Sequence, residues 1–187
     1  NINQYNDERR ELDKKITDEA NAIIDEFANM EDRKAIIVYN PGWHKGVIGI
    51  VASRLTEKYY RPAVVLTKSS ELITGSARSV TGFDIYKAIE NCRDLLENFG
   101  GHTYAAGLSL KEENLDEFTE RFLKLAADEI IPEQMIPQID IDAVLDLKDI
   151  NTKFMSELKK MNPFGPDNQK PVFCSLNVKD YGTSKLV

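Results

Sequence analysis

Phe99-Gly100-Gly101-His102-Thr103-Tyr104-Ala105-Ala106-Gly107 is the stretch on which the fold of this chain turns. Two adjacent glycines let the backbone take positive φ and leave its amides open to a ligand, because no side chain stands in the way. If a helical turn starts at His102, the N–H groups of Gly101, His102 and Thr103 point out of its positive end, where an anion is favoured. The His102 ring then adds a donor to the same oxygens. Alternatively, Gly100 and Gly101 only terminate the helix before them. That helix is expected from Asp84 as cap through Ile85, Ala88, Ile89 and Cys92, with Leu95, Leu96 and Phe99 extending its apolar face to the glycine pair.

Two further stretches have the same character. Ala35-Ile36-Ile37-Val38-Tyr39 predicts a buried strand closed by Asn40-Pro41-Gly42. A helix follows at once on Val47, Ile50, Val51, Arg54 and Leu55, which places Trp43, His44 and Lys45 on a strand-to-helix loop, where α/β folds put ligands. Trp43 is equally explained by packing. His44 can donate to a phosphate, and Gly46 and Gly49 permit close packing or close ligand approach. Next, Ala63–Thr67 predicts a strand, Lys68–Glu71 its turn, and Leu72–Ala77 a strand paired to it by a hairpin. Arg78 emerges at the end. Its planar fork matches two phosphate oxygens, and Ser76, two residues earlier, shares its side of an extended strand. A surface arginine in a turn is the plainer alternative.

In this order, Gly42-Trp43-His44-Lys45-Gly46-Val47-Ile48-Gly49, Gly75-Ser76-Ala77-Arg78-Ser79 and the Gly-Gly-His stretch resemble the DHH-associated domain of the RecJ family, single-strand-specific DNA exonucleases. The resemblance implies a small mixed-sheet α/β domain that binds nucleic acid at 31–132. His44, Gly46, Ser76, Arg78, Gly100, Gly101 and His102 are then its phosphate-binding residues, and His102 is a possible transition-state contact. It further implies that Mn²⁺ or Mg²⁺ is held by a separate DHH domain. No Asp-His-His sequence occurs here, and His44 and His102 are the only histidines. No metal ligand or catalytic residue is therefore assigned to this chain, which is expected not to cut DNA by itself.

On either side, the chain has its own organisation. From about Asn3 to Met30, Leu12, Ile16, Ala20, Ile23, Ile24 and Phe27 recur at helical spacing, and Glu11 can pair with Lys15 across a turn. In the resembled family such a helix, residues 1–30 here, connects the metal domain to this one. Asn6 and Arg9 fall within it, Arg9 as a DNA contact or as a solvated arginine. Leu108-Ser109-Leu110 predicts another strand. Asn114 with Glu117 resembles a capping box for a helix on Leu115, Phe118, Phe122, Leu125 and Ala126 that stops before Pro132. Glu112, Glu113, Asp116, Glu117 and Glu120 form its solvated face.

Beyond Pro132 the alternation of Ile139, Ile141, Ala143 and Leu145 predicts a half-buried strand. Asp140 and Asp142 share its other face, with no histidine or third carboxylate near enough to make a metal site. A helix from Thr152 to Met161 follows. Asn162-Pro163-Phe164-Gly165-Pro166-Asp167-Asn168-Gln169-Lys170-Pro171-Val172-Phe173 resembles the start of the RecJ oligonucleotide-binding domain, so 133–187 is expected to be a partial, OB-like β-barrel. That family often has Gly at Asp167 and Pro at Gln169. Starting at Asn1 and stopping at Val187 just after strand-like sequence, the chain reads as an excised piece.

Composition sets the outer bounds. The 187 residues can hold one domain and part of a second, and no apolar run approaches a bilayer's width. Cys92 and Cys174 have no partner at metal or redox spacing, which fits a reducing cytoplasm. The net charge of −7 argues against a general nucleic-acid coat. Its distribution is uneven: −4 over 1–30, +2 over 31–110, −8 over 111–150 and +3 over 151–187. Local field steers a ligand, and the three motifs lie in a positive stretch. Single-stranded DNA is thus the expected partner, with no membrane. The expected role is that of the substrate-binding portion of a 5′-to-3′ exonuclease of DNA repair and recombination. Two alternatives remain at this level: a non-catalytic single-strand-binding module, and a related phosphodiesterase of short oligonucleotides or cyclic dinucleotides.

Overall fold

A computed structural model describes residues 2–165, 167–179 and 182, without the side chains of 2–5 and 31. Pro166 and the tail at 183–187 lie outside the described residues. The chain divides into two compact units, Asn1–Pro137 and Gln138–Val187.

The first unit is built on a mixed sheet. Its strands are β1 (Ile36–Tyr39), β2 (Ala63–Ser69), β3 (Leu72–Arg78), β4 (Leu96–His102) and β5 (Ala105–Leu110), in the order β1-β2-β3-β5-β4. The β1–β2 pair is parallel and the others are antiparallel. The single parallel pair exists because a helix, α2 (Ile48–Tyr59), crosses over between β1 and β2. Hairpins make the rest. Ser70 takes φ 57 in the β2–β3 turn, which is tighter than the Lys68–Glu71 turn expected.

Strand alternation divides the apolar residues between two cores. Ile36, Val38, Ala63 and Val65 face α2 and the long helix α1 (Ile2–Asp25), whose Ile16, Ala20 and Ile24 are buried against them. Trp43 joins this core at 4% exposure, so it is a packing residue, with its Nε1 donating to Glu19 Oε2 at 2.8 Å. Arg54 of α2 donates to the buried Asp13 of α1 at 2.6 Å. The helix ends at Asp25, not Met30: Asn29 adopts φ 54, and the chain reverses through a 3-10 turn into β1. Lys15 pairs with Glu19, not Glu11, at 3.9 Å.

Val64, Leu66, Ile73, Ala77, Ala106, Leu108 and Leu110 face the other way, toward α3 (Ile85–Glu90) and α4 (Leu115–Glu129). Phe118 and Phe122 are fully buried there, each burial contributing about 1.5–3 kcal/mol. Asp84 caps α3 as expected, accepting from the Lys87 amide. The Asn114 capping box does not form: Asn114 donates through Nδ2 to the Leu95 carbonyl instead, fastening α4 to the start of β4.

The largest departure from expectation lies between Asn91 and His102. No helix runs to the glycine pair. α3 ends at Glu90, a short 3-10 turn occupies Arg93–Leu95, and 96–102 is the edge strand β4. Leu96, Phe99 and the α3 residues look like one helical face, but Phe99 pairs with Leu108 across a ladder and meets the Tyr86 ring at 5.7 Å. The ladder with β5 satisfies backbone groups along the whole segment, a tertiary gain that local periodicity does not report.

The second unit carries α5 (Thr152–Lys160) and two short parallel strands, β6 (Ala143–Val144) and β7 (Phe173–Cys174). The strand expected over 139–145 shrinks to two residues. Asp142 is engaged with the backbone, its Oδ2 accepting from the Val172 amide at 2.8 Å. Asn151 caps α5, and Phe154 meets Phe173 edge-on at 5.4 Å. Asp167 sits at φ 62, where glycine is unstrained and Asp is among the few other residues tolerated, so Asp in place of the family's frequent Gly is accommodated.

Candidate nucleic-acid interface

Strand pairing puts the second and third motifs on one face of the first unit's sheet, and the β1–α2 loop and the start of α2 bring the first motif against it. In β3 the residues Thr74, Ser76 and Arg78 point to the α2 side, because Ile73, Gly75 and Ala77 point into the α3–α4 core. Direct cross-strand partners share a face. The register therefore sets out three rows: Arg78, Ala105 and His102; Ser76, Gly107 and Gly100; and Thr74, Ser109 and Asn98. Over β5 and β4 this face is open. Asn98, Gly100, His102 and Gly107 are all exposed, and a depression of about 310 Å³ lies along Thr74, Asn98, Gly100, Gly107 and Ser109.

Each glycine of the Gly100–Gly101 pair has its own role. A Cβ on Gly100 would meet nothing within 4 Å, so its absence leaves flat backbone beside Gly107. Gly101 has φ 151, and a Cβ there would come within 2.3 Å of the Ala105 carbonyl oxygen and 2.5 Å of Ala106 Cα. Gly101 is thus a requirement of the hairpin. The phosphate cradle at a helix start, expected from His102 onward, is replaced by a strand whose amides pair with β5. His102 stays on the open face at the strand's end, roughly 10 Å and two strands from Arg78.

Arg78 and Ser76 adjoin the first turn of α2. A Cβ on Gly49 would lie 3.1 Å from Ser76 Oγ and 3.3 Å from Arg78 Nη2, so glycine is what lets the helix start approach the guanidinium. Arg78 Nη1 donates to Ser76 Oγ at 3.2 Å and to the Ala77 carbonyl at 2.8 Å. Among the described residues no carboxylate pairs with it, whereas Arg54 and Arg121 both have acidic partners. A half-exposed guanidinium beside the positive end of a 12-residue helix forms a local surplus of positive charge.

His44 reaches this region through its loop. The buried Thr67 hydroxyl donates to the Trp43 carbonyl at 2.7 Å, and Thr67 is the cross-strand partner of Thr74, so the loop is pinned at the Thr74 end of the face. The Gly46 amide donates to His44 Nδ1 at 3.1 Å, which leaves Nε2 to carry the proton outward. A Cβ at Gly46 would sit 2.9 Å from the ring. Gly46 accordingly shapes His44 and supplies an amide to it. The exposed Arg9 lies on α1.

Thr74, Gly107, Asn98 and Ser109 were not singled out from the sequence. The signal was present as period two: Thr74-x-Ser76-x-Arg78, Asn98-x-Gly100-x-His102 and Gly107-x-Ser109. Taking 95–99 as helix concealed it. Among the described residues no three His, Cys, Asp or Glu side chains gather as metal ligands. Among those residues, too, no helix is long and apolar enough to cross a membrane.

This sheet with its open Ser-Arg-Gly face is a DHHA1 domain: that family matches residues 32–128. The RecJ OB domain matches 141–186, and with both in this order the chain belongs to the RecJ family. The single-stranded-DNA-specific exonuclease RecJ of Bacillus subtilis is 40% identical over 172 residues, covering 91% of this chain and 22% of that protein. The protein of the same name from Dickeya dadantii is 31% identical over 179 residues, covering 92% of this chain and 31% of its own. Crystalline RecJ of Thermus thermophilus in complex with Mg²⁺ has the same fold, with a TM-score of 0.79 at 27% identity over 92% of this chain and 26% of that one. The chain thus spans between a fifth and a third of the length of these relatives.

Proposed function

We propose that this chain is the strand-holding part of a RecJ-type exonuclease. It grips phosphates of single-stranded DNA while a separate metal-bearing DHH domain hydrolyses the strand from its 5′ end, in DNA repair and recombination. Arg78 carries the proposal: a guanidinium with no carboxylate partner among the described residues, beside the start of a helix, on an open sheet face. Such a group is held in wait for an anion. Ser76 orients it. His44 donates from the loop at the Thr74 end, His102 from the end of β4, and the Gly107–Gly100 stretch lets the strand lie close to the backbone. The net +2 of residues 31–110, against −7 overall, supports an anionic ligand at this unit.

Mn²⁺ or Mg²⁺ belongs in this reading to the DHH domain, outside the chain, and the chain alone does not cut DNA. The exposed His102 adds a donor that acts more on the transition state than on the bound strand if the two domains close on one phosphate.

In the intact nuclease, Arg78→Ala is expected to raise KM for single strands about tenfold or more, the worth of a hydrogen bond to a charged group, with the fold unchanged by circular dichroism. Wild-type KM in that variant overturns the proposal. His102→Ala should lower kcat more than affinity. Release of nucleotides by the chain alone in Mn²⁺ would show that it is more than a strand holder.

A further inference from the structure

Beyond Arg78, at the end of the sheet, lies a second hollow of about 360 Å³ that the phosphate-binding residues do not use. Thr56, Glu57 and Tyr60 line it from the last turns of α2, and Ser79, Thr81 and Tyr104 from the loops that follow β3 and β4. It adjoins the Arg78 end of the open face. Ser79 follows Arg78 directly and donates its amide to the Tyr104 carbonyl at 3.0 Å, while Ala105, the next residue, is the cross-strand partner of Arg78. Thr56 lies seven residues along α2 from Gly49, roughly 10 Å from the helix start at which the guanidinium stands.

The lining says what the hollow takes. It has no Lys, Arg or His, and Glu57 stands at its wall, so a second phosphate is disfavoured there. It has two aromatic rings of different character. Tyr60 is half-buried against the α3–α4 core and held in the left-handed conformation at φ 51, a fixed wall. Tyr104 is 55% exposed at the tip of the β4–β5 hairpin, with its ring open to a ligand. A large exposed aromatic next to a fixed one is a stacking platform for a flat, uncharged ring. Thr56 lines the same hollow; its Oγ1 is out of solvent and has no hydrogen-bond partner among the described residues, and a turn of its χ1 would offer it to the edge of such a ring.

We propose that the Tyr60–Tyr104 hollow is a base subsite. It stacks one nucleobase of the strand whose phosphate Arg78 holds, and so sets the register in which the strand lies on the open face. The proposal rests on the strand-holding role given to Arg78, and the two can fail separately.

The test places 2-aminopurine, or an abasic site, at successive positions of a short single strand and titrates it with the full chain. One position is expected to lose fluorescence on binding, and an abasic site at that position should weaken binding about 5- to 100-fold. Tyr104→Ala should abolish the quenching and the dependence on position, and Tyr104→Phe should restore both. Because Tyr104 is exposed, neither change should alter the melting temperature. Equal binding by wild type and Tyr104→Ala, with no position singled out, overturns the base subsite. If Arg78→Ala also binds at wild-type strength, the strand-holding reading falls with it; if Arg78→Ala alone weakens binding, only the base subsite is lost.

Discussion

On one side of β3, β5 and β4 stand Ile73, Ala77, Ala106, Leu108, Leu110 and Phe99, closed over by α3 and α4; on the other stand Thr74, Ser76, Arg78, Ser109, Asn98 and His102, exposed or half-exposed. Both sets come from the same three strands by alternation, interrupted once by the bulge between Leu96 and Asn98 in β4. The closed side supplies the apolar burial that holds the hairpins flat. The open side can then carry polar groups and bare glycine without unravelling. In the proposed reading, strand holding occupies the side that stability does not need, so a substitution should affect one property or the other according to the face on which its side chain stands.

The closed side breaks hardest at its largest side chains. Phe122→Ala removes a fully buried ring from α4 and is expected to cost about 3–5 kcal/mol in chemical denaturation. A loss below about 1 kcal/mol would mean that α4 does not close that face.

Gly100 and Gly101, adjacent in sequence, sharpen the contrast. Gly101→Ala forces a methyl against the Ala105 carbonyl at a φ that L-residues avoid, so a loss of about 2 kcal/mol or more is expected. Gly100→Ala meets open space and should leave stability within about 1 kcal/mol of wild type. Its methyl stands on the bare stretch of the open face, and single-strand affinity is the quantity it should lower. Equal melting temperatures for the two variants would contradict the assigned register.

The smallest effect is chemical. Burial pushes the Cys92 thiol up to about 11 from its ordinary 9.0, whereas Cys174 in the second unit is only half-buried. At pH 8 a thiol reagent should therefore label Cys174 promptly and Cys92 only on unfolding. Because the folded-state value is the higher one, the neutral thiol's contribution to stability is complete below pH 9 and is lost as pH rises from 9 toward 11. Rapid labelling of both thiols at pH 8 would show the closed side to be open.

The second unit extends the comparison. Ile139, Ile141, Val144, Leu147, Leu176 and Val178 are each at least 50% exposed, and among the described residues the buried apolar ones all belong to the first unit. Among the described residues its two strands span two residues each and form no second sheet layer for those side chains to close against. Alternation over 139–145 was visible in the sequence, but alternation yields a strand only where a partner completes the ladder.

Much of the first unit was legible. Runs of β-branched residues bounded by Pro, Gly and Ser located β1, β2 and β3 to within one or two residues, and Asp84 marked the start of α3. The motifs marked Ser76, Arg78, His44 and the glycine pair as special. Residues 91–102 were not legible, because apolar residues at 92, 95, 96 and 99 satisfy a helical period almost as well as they satisfy a 3-10 turn followed by a bulged strand. The grip was consequently placed on a helix start at His102, when the helix start beside Arg78 belongs to α2.

Residue chemistry and local period were enough to say that this chain carries an α/β unit with candidate anion donors on three separate segments, since those properties reside in each segment alone; the family resemblance suggested that they act together. Which faces those groups share was decided by strand order and register. Inserting β5 between β3 and β4 carries Arg78, Gly107, Gly100 and His102 onto one surface, and the pairing of residues far apart in the chain depends on burial and hydrogen bonds that exist only once the sheet has formed.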